Sequence, residues 1–117
     1  MSDTPVSFKN AAAFRAWLTT HHASADALTV RLVKVRLGRG LTYAEALDEA
    51  LCFGWIDGVR RSLDADSYSV RFTRRRPNSI WSRVNIAHVG RLQAEQRMMP
   101  AGLAAFEKRD ELRSGIY

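Results

Sequence analysis

The sequence predicts an α+β fold: a small antiparallel three-stranded sheet packed with about four helices, in the order α-β-α-β-β-α-α. Two observations predict it. Stretches in which apolar residues alternate one by one stand between stretches in which they recur every three or four positions. Glycines, prolines and capping residues fall at the junctions. The 117 residues suit one domain, 1–117, built on a single core.

Residues 1–6 read as a flexible tail. Ser7 reads as the N-cap of a first helix whose apolar face is Phe14, Trp17, Leu18 and His21, ending about His22. After Asp26, residues 27–36 alternate Leu28, Val30 and Leu32 with Thr29 and Arg31, the pattern of a half-buried strand. Gly38 and Gly40 mark a turn. Thr42 and Glu45 stand at capping-box spacing before a helix that buries Leu47, Ala50 and Leu51 and stops at Gly54. Residues 55–59 read as a short strand or sharp bend, and 63–67 as a polar turn. Tyr68, Val70 and Phe72 alternate with Ser69, Arg71 and Thr73, which predicts a strand. Pro77 makes 74–78 irregular. A third helix is expected from near Ser79 to about Gln96, with Trp81, Val84, His88 and Leu92 on one face. Pro100 suits the first position of a last helix, expected to end near Leu112.

Cys52 stands alone, so no internal disulfide forms. No apolar stretch approaches the roughly 20 residues that span a bilayer, so no membrane span is expected. The first residues lack a basic and then apolar leader. A cytoplasmic protein is the expectation. The net charge is +6, and residues 60–97, with nine arginines against three acids, hold all of it. Concentrated positive charge attracts phosphate, nucleic acid, acidic protein or anionic lipid. The alternative is a solvated arginine-rich surface without a specific partner.

Two segments carry chemistry. In the first, Gly54 and Gly58 bracket Trp55 and Asp57. Glycines allow tight turns and close approach of a ligand. Trp55 offers a stacking face and a carboxylate can pair with arginine. The structural alternative makes Trp55 a core anchor and Asp57 a turn residue. The second segment is the basic loop from Arg71 to Arg83, in which Phe72 and Trp81 interleave with arginines and Ser79 and Ser82 precede a helix. Arginine forks hold phosphate or carboxylate bidentately, and a helix start presents free N–H groups to an anion. The alternative is an exposed loop with a serine cap and Trp81 in the core. His21 and His22 diverge on a helix and cannot share an ion. His88, beside Asn85, reads as a partly buried histidine. Cys52 has apolar neighbours and reads as packed rather than reactive. No metal-ligand spacing, phosphate loop or triad signature is present, so no metal, cofactor or catalytic residue is assigned.

These segments also carry a family resemblance. Residues 50–58 (ALCFGWIDG), Arg71-Phe72-Thr73, residues 75–85 (RRPNSIWSRVN), Arg97-Met98 and residues 100–103 (PAGL) resemble the YdeI/OmpD-associated family, often described as bacteriocin-protection proteins. The likeness runs in order from about Phe14 to the C-terminus. It implies a bacterial protein with a role in stress or antimicrobial resistance and no catalytic residue to carry over. Arg74, Gln96 and Met99 depart from that pattern, in which Pro, Gly and Thr are usual.

Three functions follow. The first is a non-enzymatic domain that binds a small anionic or aromatic ligand. Trp55 and Trp81 would wall the pocket, Arg71, Arg75 and Arg83 would hold the charge, and Asp57, Ser79, Ser82 and Asn85 would orient polar groups. The second is nucleic-acid binding through the Arg71–Arg83 loop. Glu107, Asp110 and Glu111 on the last helix oppose a helix-turn-helix version of it. The third is an enzyme with Asp57 or His88 as general base. Met98, Met99 and Phe106 form an apolar group that could serve a dimer.

Overall fold

The computed structural model describes residues 4–117. Its elements are β1 (Val6–Ser7), α1 (Ala11–His21), β2 (Ala27–Val33), a single 3-10 turn (Val35–Leu37), α2 (Tyr43–Cys52), β3 (Trp55–Ser62), β4 (Ser67–Arg74), α3 (Arg83–Ala94) and α4 (Pro100–Glu107). The α+β class and the four helices agree with the sequence pattern. The sheet differs: it has four strands in the order β1-β2-β4-β3, and it is mixed because β1 runs parallel to β2. Two residues are too few for alternation to show, so from the sequence Val6 reads as tail; residues 1–3 of that tail lie outside the described residues.

Leu28, Val30 and Leu32 of β2 and Tyr68, Val70 and Phe72 of β4 point to one face and enter the core. Phe14 of α1 packs on Phe72, with centroids 5.6 Å apart, and Leu47, Ala50 and Leu51 of α2 fill the space beneath. Thr29, Arg31, Ser69, Arg71 and Thr73 lie on the opposite face and add nothing to the core. The capping box at α2 forms as expected, with Thr42 and Glu45 satisfying each other's backbone N–H. Gly54 ends α2 at φ 77°, the left-handed conformation that glycine adopts without strain.

Several boundaries move for physical reasons. Asn10, not Ser7, caps α1: its Oδ1 accepts from Ala13 N at 2.9 Å. Strand β2 ends at Val33 because the chain coils into the 3-10 turn. Strand β3 runs on to Ser62, with one extra residue between Asp57 and Arg60. Gly58 sits in that bulge, where a Cβ would stand 2.9 Å from Arg71 O. Helix α3 begins at Arg83, capped by Ser82 Oγ, which accepts from Asn85 N. That later start turns the helix, so Ile86, Val89 and Leu92 face inward and Val84 is 63% exposed. Helix α4 stops at Glu107 rather than near Leu112.

The chain after α4 is stitched to the loop before α3. Asn78 N donates to Lys108 O, Asp110 N to Ser79 O, Gly115 N to Trp81 O and Arg83 N to Tyr117 O. Gln96 takes φ 60° between α3 and α4. A side chain is strained there, and a glycine would not be.

Candidate functional site

Burial divides the nine sequence-predicted site residues into unlike groups. Trp55 is fully buried, donates from Nε1 to His22 O at 3.2 Å and meets Trp17 edge-on. It offers no face to a ligand. Trp81 is fully buried too, against the edge of Phe106. Its Nε1–H meets no acceptor among the described residues. The expectation that these two rings wall one pocket is corrected here: both belong to the core. Ser82 and Asn85 form the α3 cap, and Arg83 is held by its backbone to Tyr117. Neither Arg83 nor Asn85 reaches the clefts described below. Asp57 Oδ2 accepts from the Tyr43 hydroxyl at 2.7 Å. Burial first, and that carboxylate second, push the Tyr43 pKa well above its usual range.

Arg71, Arg75 and Ser79 remain, and Arg75 is the centre. Its Nε donates to Ser79 Oγ at 3.0 Å and one terminal nitrogen donates to Ile80 O at 2.8 Å. Its guanidinium lies 3.9 Å from the centre of the Trp81 ring. No acid of the described residues pairs with it. Burial pushes its pKa below the usual guanidinium value, opposed by the charges of Tyr117 and Asp57. An arginine has five N–H donors in a fixed fork, and Arg75 spends two of them on these partners.

The other arginines of residues 60–97 sort by partner. Arg74 pairs with Asp26, Arg91 with Asp48, and Arg97 with Glu49. Arg60 stacks on the Tyr68 ring at 3.9 Å. Arg61, Arg71, Arg75, Arg76 and Arg83 carry no acid partner among the described residues. Arg71, Arg75 and Arg76 line one open cleft of about 700 Å³ with Asp26, Thr73 and Pro77. Arg61 and Arg71 line a smaller hollow of about 100 Å³ on the exposed sheet face, beside Thr29 and Ser69.

A third cleft, of about 310 Å³, lies between the start of β3 and α4. Phe53 and Gly54 form its buried lining, and Ala101, Ala104 and Ala105 of α4 face them. His22, Lys108 and again Arg75 line it as well. From the sequence His22 reads as a poor metal ligand, and nothing there marks it as a pocket residue. Its Nδ1 lies 2.8 Å from Leu18 O, and its ring packs on Phe53 with centroids 5.1 Å apart. Lys108 and the α4 alanines were missed as well. The one signal in the sequence was three alanines at helical spacing with no large side chain on that stripe.

His88 Nδ1 lies 3.3 Å from an Arg91 nitrogen, and His88 lines none of the three clefts. Among the described residues no group of three potential ligands could hold a metal ion. No helix of the described residues is long and apolar enough to cross a membrane.

The one titratable sulfur is inert by position. Cys52 is buried, and desolvation pushes its thiol pKa up, with Arg15 pulling the other way. Only the thiolate reacts. A disulfide reagent is therefore expected to modify Cys52 at least about a hundredfold more slowly in the native protein than in denaturant. Absorbance of the released thiol measures it, and equal rates would place Cys52 on the surface.

The fold is that of a small α+β domain with three hollows, each lined in part by arginine. The domain of unknown function DUF8412 matches residues 6–105, and the chain belongs to that family. No curated protein and no solved structure matches it.

Proposed function

We propose that this chain is a non-enzymatic binding domain for a small anionic ligand held at Arg75. One observation carries the reading: a half-buried guanidinium without a carboxylate partner forms the wall shared by two clefts. Burying an unpaired charge is costly. Two hydrogen bonds and a stacked ring offset part of that cost, and an anion would offset the rest. Arg71 and Arg76 add charge along the open cleft. The resemblance to the YdeI/OmpD-associated family suggests the setting, a role in stress or antimicrobial resistance. The +6 charge argues against direct capture of a cationic peptide.

The test is thermal unfolding with phosphate or citrate at constant ionic strength. A ligand that binds only the folded state, at about 100 times its Kd, adds about 2.7 kcal/mol. A saturating rise in Tm is expected, and it is reduced in Arg71→Ala and Arg76→Ala, whose exposed side chains hold no structural bond. A Tm that follows salt alone, identical in wild type and variants, would remove the reading.

Nucleic acid is the second reading. Its support is the run of unpaired charge from Arg76 through Arg71 to Arg61, which could follow a phosphate backbone. The exposed sheet face lacks an aromatic ring on which a base could stack, so this reading stands behind the first. Binding of a short single strand that collapses between about 50 and about 200 mM salt would promote it.

A further inference from the structure

We propose that the cleft between β3 and α4 takes the apolar body of a small carboxylate, an aryl or short-chain acid, whose carboxylate meets Arg75 and Lys108. The proposal rests on the anion-binding reading above and names its ligand class.

The cleft has the two halves that such a ligand needs. Its buried side is apolar, with the Phe53 ring, 2% exposed, against the methyl groups of Ala101, Ala104 and Ala105. Its charged lining is cationic: Arg74, Arg75 and Lys108, with no Asp or Glu among the lining residues. Arg74 is already engaged by Asp26 and by Ala23 O, so it adds little to an incoming anion. Arg75 and Lys108 have no carboxylate partner among the described residues. The volume, about 310 Å³, stands at the lower end of the range for small-molecule sites. It suits a body about the size of one six-membered ring.

Main-chain contact fixes the shape of this space. Gly54 lets the start of β3 approach α4 so closely that a Cβ there would stand 2.8 Å from Ala101 O. Helix and strand are therefore in backbone contact beside the cleft, so its width is set by main chain rather than by side chains that could swing. A phosphate alone would use the cations and leave the partly exposed alanine wall in water. A neutral ring would use the wall and leave Arg75 unpaired. Only a ligand with both parts satisfies the whole lining.

Calorimetric titration of the full chain with benzoate, benzyl alcohol and inorganic phosphate tests this. Benzoate is expected to bind at least about tenfold more tightly than either of the others. Ala104→Leu, which keeps a good helix former and fills the cleft, should weaken benzoate at least about tenfold and leave phosphate unchanged. Lys108→Ala, an exposed change, should weaken benzoate about three- to tenfold and serves if Ala104→Leu does not fold. Phosphate binding as tightly as benzoate, or benzoate binding that neither variant alters, overturns this proposal and leaves the anion reading in place. Binding of neither anion overturns both.

Discussion

Gly102→Ala is expected to cost about 3 kcal/mol of folding stability, the upper end for overpacking a filled site. Helix α4 meets the end of α2 backbone to backbone at this residue. A Cβ on Gly102 would stand 2.7 Å from Leu51 O and collide with the Cys52 carbonyl. The Cys52 oxygen also accepts from Met99 N at 3.0 Å, the bond that fixes the first turn of α4. Met99 supplies no side-chain cap there, so this bond has no substitute. Nothing flexible can give way, and α4 must lift. Urea unfolding measures the loss, and lifting α4 would also open the cleft that it helps to form. Gly90→Ala is the control. Gly90 lies in α3 with no atom within 4 Å of an added Cβ, so the same change should stabilise by about 1 kcal/mol. A Gly102→Ala protein as stable as wild type would mean that α4 does not sit on α2 in this way.

Glu49→Gln is expected to cost about 3 kcal/mol. Glu49 is 5% exposed, and its two oxygens each hold an arginine at 2.8 Å, Arg15 of α1 and Arg97 beyond α3. Arg15 also donates to Arg97 O at 2.9 Å, which ties three segments at one point. Removing the carboxylate charge leaves Arg15 without a carboxylate partner among the described residues, while Arg97 keeps Glu95 at 3.1 Å and Asp48 at 3.9 Å. Losing one member of a buried ion pair costs about 3 to 5 kcal/mol. The arginine side chains remain 31% and 34% exposed and can turn toward water, so the lower figure applies. Chemical denaturation at about 50 mM and about 500 mM salt is the measurement, since a buried pair is screened much less than a surface one. A loss under about 0.5 kcal/mol would mean that the triad is solvated and contributes no more than a surface pair.

Some elements were legible because their signals are local. The Thr42–Glu45 capping box, the stop at Gly54 and the start of α4 at Pro100 each depend on a few adjacent residues. Strand β4 was legible because apolar Tyr68, Val70 and Phe72 alternate with hydrophilic Ser69, Arg71 and Thr73, although Ser69 is buried as well. Other boundaries depend on distant chain. Ser82 rather than Ser79 caps α3 because residues 78–83 are bonded to the segment after α4. The face of α3 then turned with its start, which is why Val84 is exposed and Val89 buried. Strand β1 exists only because β2 lies beside it.

The candidate site divides the same way. Arginine in the Arg71–Arg83 loop was legible as charge, but its partners were not. Asp26, Asp48 and Glu49, each more than 40 residues from the arginine it holds, neutralise Arg74, Arg91 and Arg97. Only after those pairings does Arg75 stand out as unpaired. The tryptophans misled because an aromatic ring near glycine or arginine reads alike whether it faces a ligand or the core.

By itself the sequence determined the α+β class, the alternating faces of β2 and β4, the α2 cap and the concentration of positive charge in residues 60–97. Each follows from spacing or composition, which tertiary contacts do not alter. Tertiary structure alone decided that Trp55 and Trp81 are core, that α4 stands against α2 and β3 at Gly102 and Gly54, and that His22, Arg75 and Lys108 share one cleft. Those outcomes depend on which residues far apart in the chain come within a few ångströms. Close packing selects among such arrangements through shape and partner availability, and neither is a property of any local stretch of sequence.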